Sequence, residues 1–457
     1  MTRSSSLLAG GFLALSVMFG STAGESSQCN PGLVINSISY CNRVDNLGYS
    51  NMGYSGEYQQ VTGMDKHSCK CTYTTKKFSG PGAPLNEPIS LHFRGPINLK
   101  QFAVYTADNK KSKRSEKHLR RHAHGHKHKR VAEPALEVVT EYTTAYTTVE
   151  TEVTVAPVPN YVKSDGPSPG SSHPPTVKPD GPSPAGPSPP AVKPGTAKSD
   201  TVDLSSAGTF KRQAYYHSGQ GVSEGLVFMN HRGGQGSGDF DMDCLGQSIS
   251  YASKDNSAGS SKPEILGDIT TVSDDEFIIF SDKKCEGDEC GFYRPGIPAY
   301  RGFGGDIRVV LAEFSMPRDK GDAGGKGGHD LPAIWALNAQ IPRVAQYGIK
   351  SGSCSCWPDC GEFDIFEALP GNPAAGQSAA DMMKSHLHCA QGGKFGGGGN
   401  VDFFERPLNE PIKLAAIFYG ENVYITKLPK DTTFDKTLSE ELIANAKDTK
   451  SMFKIPS

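Results

Sequence analysis

The stretch Gly361-Glu362-Phe363-Asp364-Ile365-Phe366-Glu367-Ala368 alternates acidic and apolar side chains, then breaks its own rhythm. Read as a strand, it places Glu362 and Asp364 on one face and Phe363 and Ile365 on the other. Strict alternation would put Glu367 on the apolar face, where an unpaired carboxylate is costly to bury. One extra residue, a β-bulge at Ile365-Phe366, reverses the alternation and returns Glu367 to the acidic face. The competing reading is an ordinary acidic strand facing water. Three like charges on one face repel, which disfavours that reading unless they serve a purpose.

Three carboxylates on one strand face suit glycoside hydrolysis. A retaining enzyme needs two carboxyl groups about 5–5.5 Å apart. Residues two apart on a strand face are separated by about 6.6 Å and residues four apart by about 13 Å, so the bend of a bulged strand, with side chains that lean together, is expected to bring Glu362 and Glu367 to about the required spacing. Asp364 between them is expected to spread their pKa values apart by sharing a proton. The chain has two tryptophans, Trp335 and Trp357, both within about thirty residues of the carboxylates. Aromatic faces stack on the C–H faces of pyranose rings, so both are candidate substrate-binding residues. The alternative for both is a place in the core.

Outward from this strand, residues 213–457 read as many short strands: Leu226–Phe228, Phe277–Phe280, Ile307–Phe314, Leu387–Cys389, Ile412–Phe418 and Val423–Ile425. Gly, Pro and Asn turns separate them, and no 3.6-residue period is sustained. The expected class is all-β, an antiparallel β-sandwich. After the last hairpin the chain is polar and Lys-rich, without a closing core strand, so that strand must come from elsewhere.

Residues 25–107 read as short antiparallel strands, and three readings stay open for them: a small disulfide-stapled β-module, a carbohydrate-binding module, or strands that complete the later sandwich. In the last case Pro96–Tyr105 would supply a missing edge. Residues 108–212 read as a disordered linker, first basic and His-rich (His122, His124, His126, His128), then rich in Pro, Ser and Thr. Lys129-Arg130 and Lys211-Arg212 are dibasic pairs expected to be cut by a processing protease. Residues 1–23 read as a signal peptide: Arg3, an apolar run from Leu7 to Phe19, then Ser21-Thr22-Ala23.

The remaining composition narrows the class. A net charge of -2 gives no global field towards nucleic acid or an anionic membrane. No later segment is long and apolar enough to span a bilayer. Eleven cysteines with a signal peptide suit an oxidising compartment. The early four, Cys29, Cys41, Cys69 and Cys71, are even in number and able to pair among themselves; the later seven leave one thiol free or paired between domains. Cys354, Cys356 and Cys360 have metal-like spacing, but disulfides are the expected reading. No metal or cofactor is expected.

The run Trp357-Pro358-Asp359-Cys360-Gly361-Glu362-Phe363-Asp364-Ile365-Phe366-Glu367 resembles the E-x-D-x-x-E signature of glycoside hydrolase family 16. Gly304-Gly305-Asp306-Ile307-Arg308 to Met316-Pro317, and Pro332-Ala333-Ile334-Trp335, are similar to that family's strands before the motif. The resemblance implies a jelly-roll, concanavalin-like sandwich that retains anomeric configuration, with Glu362 as nucleophile, Glu367 as acid/base and Asp364 as helper. It implies a substrate-side role for His388, with His386 the alternative match. More closely, the whole layout resembles fungal cell-wall circularly permuted 1,3-β-glucanases. That resemblance implies a secreted endo-1,3-β-glucanase acting on β-1,3-glucan in the wall. Transglycosylation on the same intermediate is the close rival, and a non-catalytic glucan-binding wall protein is the rival of another class.

Overall fold

A computed structural model describes residues 32–107, 210–305, 307–321, 328–349, 354–371, 378–388 and 397–456. The leader, residues 108–209 with Lys129-Arg130 and the His tract, and Cys29 and Cys389 lie outside the described residues. Two large sheets dominate. The first runs in the order Gly259–Ser260, Ser250–Ala252, Leu226–Asn230, Glu276–Ser281, Ile89–Arg94, Ala333–Asn338, Glu362–Glu367, Met382–His388, Gly398–Gly399. The second runs Thr437–Leu438, Phe210–His217, Asn98–Ala107, Ile307–Ser315, Ile412–Tyr419, Asn422–Leu428, Asn46–Ser50, Met452–Lys454. Pairing is antiparallel throughout both, except between Asn46–Ser50 and Met452–Lys454.

Alternation along each strand explains the layers. In Ile89–Arg94, Ile89, Leu91 and Phe93 enter the core between the sheets, while Ser90, His92 and Arg94 face away from it. Leu99, Phe102 and Val104 join the same core from the other sheet. Their uneven spacing is accommodated by a register shift where Asn98–Ala107 meets Glu313 and Phe314. Phe228, Phe277, Ile334, Phe363, Phe366, Phe314 and Phe418 fill the rest of that layer. The antiparallel sandwich expected from sequence is therefore the architecture seen, with two sheets each burying one apolar face on the other.

The described residues on both sides of the 108–209 gap fall in one compact unit. Of the three readings for the segment before the gap, the observed pairings match the shared sandwich. Ile89–Arg94 lies between Glu276–Ser281 and Ala333–Asn338. Asn98–Ala107 is an interior strand rather than an edge, paired on both sides by Ile307–Ser315 and Phe210–His217. The closing strand missing after the last hairpin is Asn46–Ser50, which pairs with Asn422–Leu428.

Two of the early cysteines bond to later ones rather than among themselves. Cys69 pairs with Cys244 and Cys71 with Cys354, so both bridges join the Gly56–Phe78 hairpin to the later part of the chain. Cys285–Cys290 and Cys356–Cys360 are local. The three cysteines with metal-like spacing are thus all in disulfides. A second correction concerns Arg212. The sequence places it in the linker, as a processing site, but it lies inside strand Phe210–His217. Its guanidinium donates to Phe434 O at 2.7 Å and packs over Tyr215.

Candidate active site

The carboxylate strand Glu362–Glu367 carries the predicted bulge. Its register shifts against Ala333–Asn338 between Ile334 and Trp335, and against Met382–His388 between Asp364 and Glu367. Phe363, Ile365 and Phe366 all enter the interlayer core. Two consecutive residues point inward, so Glu362, Asp364 and Glu367 share the outer face.

The neighbouring strands bring partners to each carboxylate. His388 pairs in register with Glu362, and its Nε2 lies 2.7 Å from Asp364 Oδ2. His386, the alternative match, packs its ring 4.5 Å from that of His388, and the hydrogen bond to Asp364 belongs to His388. Trp357 Nε1 donates a hydrogen bond to Glu362 Oε2, and the residue is 38% exposed. Trp335 takes the other course. It is 4% exposed, stacks on His92 at 5.0 Å between centroids, and packs with Tyr58 and Phe78 of the Gly56–Phe78 hairpin. An open stacking face at Trp335, expected from sequence, is therefore not available: Ala333, Trp335 and Leu337 do face outward, but the hairpin covers them.

The sequence motif does not point to Arg94. Its Nη2 donates to Glu367 Oε1 at 2.9 Å and its Nε to Leu331 O at 2.8 Å. Its guanidinium lies over the Trp335 ring. The position between Arg94 and Glu367 across the sheet is Ala333, paired with both, and a small residue there leaves the path open. Lys384, in register with Glu367, turns away to the carbonyls of Ser39, Asn400 and Asp402. The available signal was the polar alternation of Ser90, His92 and Arg94. It needed the strand order before it pointed anywhere.

A second buried carboxylate, Glu276, lies on the same face. His92 Nδ1 is 2.7 Å from its Oε1, Gln346 Nε2 donates at 3.1 Å, and His231 Nε2 lies at 3.7 Å. Its partners hold Glu276 well below the usual carboxylate range despite burial.

Electrostatics separate the helper from the pair. Burial, then the neighbouring charge of Asp364, pushes Glu362 up to about 7; burial and Asp364 do the same to Glu367, to about 7, against the pull of Arg94. Burial would raise Asp364 too, but His388 outweighs it and holds Asp364 below its ordinary value. His388 is raised to about 10, because the ion pair with Asp364 overcomes burial. The hydrogen-bond partner of Asp364 in the structure is His388, 2.7 Å away, and its charge is what holds Asp364 low. The ligand atoms of Glu362, Asp364 and His388 lie within 4.8 Å of one another, a spacing that suits a cation. Protonated His388 already supplies positive charge there.

A family described as "Cell wall protein YJL171C/Tos1, C-terminal" matches residues 208–446, and its N-terminal counterpart matches residues 45–107. The chain belongs to this family of cell wall proteins. A relative from Saccharomyces cerevisiae, "Probable circularly permuted 1,3-beta-glucanase TOS1", is 38% identical over 427 residues, covering 88% of this chain and 90% of the relative. A Candida albicans protein of the same name is 36% identical, with the same coverage. An Arthroderma benhamiae "Probable circularly permuted 1,3-beta-glucanase" is 34% identical and covers 95% of both chains. No solved structure matches the chain. The two matched family segments flank the 108–209 gap and supply strands to both sheets. Among the described residues no helix is long and apolar enough to cross a membrane.

Proposed function

We propose that this protein is a secreted, retaining hydrolase of β-1,3-glucan acting in the fungal cell wall. The observation that carries the reading is the bulge that sets Glu362, Asp364 and Glu367 on one outer face. The linkage is taken from the names of the relatives, which read "Probable circularly permuted 1,3-beta-glucanase".

In this reading the Glu362 carboxylate attacks the anomeric carbon while Glu367 gives its proton to the departing glycosidic oxygen. A covalent glycosyl–enzyme ester forms. Water then attacks that carbon, loses its proton to Glu367, and releases Glu362. The step needs one ionised and one protonated glutamate. Raising both towards 7 lets the pair hold one proton near neutral pH. Arg94 beside Glu367 stabilises the carboxylate left after proton donation. Trp357 holds the Glu362 oxygen in place, and His388 fixes Asp364 between the two.

The test is Glu362→Gln and Glu367→Gln on a laminarin-type β-1,3-glucan. Each is expected to lower turnover by at least about 10³-fold with the fold intact, and the wild-type product to emerge first as the β-anomer by NMR. Wild-type turnover in both variants would sink the assignment. Longer or branched products with excess oligosaccharide would make the enzyme a transglycosylase. Glucan binding without turnover at every pH would make it a wall-binding protein.

A further inference from the structure

We propose that Tyr347 forms a sugar-stacking subsite on the outer face of the first sheet, away from the scissile bond. This rests on the glucan reading above. Tyr347 is 38% exposed, and its ring meets His231, whose Nε2 lies 3.7 Å from Glu276 Oε1. Glu276 is in register with Arg94, and Arg94 reaches Glu367. The phenol therefore stands over the same sheet face as the catalytic carboxylates. Three strand intervals separate the Glu276 strand from the carboxylate strand, about 14 Å, which leaves room for more than one pyranose ring between them.

The ring is held like a platform. His231 meets it edge to face, with centroids 5.1 Å apart and planes at 80°, which supports one edge of the ring. Its backbone is fixed by pairing of Tyr347–Ile349 with Leu245–Gln247. Gly246 makes that pairing close: a Cβ there would lie 2.2 Å from Tyr347 O, so only glycine lets the strand approach. The neighbouring side chain, Gln346, bridges His231 and Glu276, so the whole turn is anchored to one buried carboxylate.

Burial of Trp335 removes one aromatic face from those a long chain could stack on. With Trp335 covered, Tyr347 and Trp357 are the aromatic side chains near the site that remain open to solvent, among the described residues. Trp357 is engaged with Glu362 at the point of cleavage. Tyr347 lies beside Glu276, where a ring face without a catalytic partner suits an uncleaved sugar of the chain.

The experiment measures binding of β-1,3-linked oligosaccharides of increasing length to the full chain carrying Glu362→Gln, by calorimetry. Adding Tyr347→Ala is expected to weaken the longer oligosaccharides roughly tenfold and leave the shortest unchanged, as loss of one stacking contact predicts. Tyr347→Phe, which keeps the ring, is expected to stay within about twofold of its parent. Where Tyr347→Ala does not fold, Tyr347→Leu replaces it, with apolar bulk but no ring face. If the parent binds the series and the Ala or Leu variant binds every length equally well, the subsite is overturned and the glucanase reading stands. If the parent binds no oligosaccharide of the series, both fall.

Discussion

His388 Nε2 lies 2.7 Å from Asp364 Oδ2, one strand over, and this pair sets the charge of the site. Asp364 is almost fully buried and His388 partly so. The two signs work together. His388, raised to about 10, contributes stability that is complete below its unfolded value near 6.5 and lost as pH rises through about 10. Asp364, held low, contributes stability that is present above its unfolded value near 3.8 and lost as pH falls below it. His388→Gln is therefore expected to cost about 3 kcal/mol at pH 7, the low end for breaking a buried pair because His388 is partly exposed. The cost should shrink above pH 10. Denaturation curves at the two pH values check this, and an equal loss at both would refute it.

Arg94 sets the proton affinity of Glu367. Its cation opposes the burial that raises Glu367 to about 7. Removing it in Arg94→Met should raise the Glu367 pKa further, so the alkaline limb of the kcat profile moves to higher pH. The value of kcat itself should fall by about 10-fold or more as the group left after proton donation loses its partner. A pH–rate profile decides; a limb that stays in place or moves down would exclude the role.

Ala333 keeps the way open between Arg94 and Glu367. It is buried, and it pairs with both of them across the sheet. Ala333→Leu should wedge the ion pair apart and cost about 1–3 kcal/mol of stability through overpacking. Its pH profile is expected to shift in the same direction as that of Arg94→Met. A Leu variant with the wild-type profile would show that the gap at Ala333 is not needed.

Cleavage between residues 108 and 209 is expected to leave one working molecule. Strands before the gap sit inside both sheets, and two disulfides tie Cys69 to Cys244 and Cys71 to Cys354. A dibasic-specific protease should cut after Arg130 and spare Arg212, which is held in a paired strand. The cut protein should run as one band without reductant and as two with it, and keep its activity. Mass spectrometry showing an end at Arg212, or loss of activity on cutting alone, would contradict this.

Legibility follows from range. The bulge at Ile365-Phe366, the common face of Glu362, Asp364 and Glu367, and the short strands of residues 226–428 are properties of consecutive side chains, and alternation alone reports them. Which strands become neighbours is not local. Arg94 reaches Glu367 across 273 residues of sequence, and the two long-range disulfides close separations of 175 and 283. Closure entropy rises only with the logarithm of such a loop, so chain distance barely disfavours these pairings and cannot reveal them. Trp335 and Tyr347 make the same point. Both are aromatic residues near the motif, and their residue type says the same of each. Trp335 is covered because the Gly56–Phe78 hairpin lies on it, and Tyr347 stays open with His231 against its edge. The acids and the strands were written along the chain; the cation beside them, the covered tryptophan and the open tyrosine were decided by sheet order.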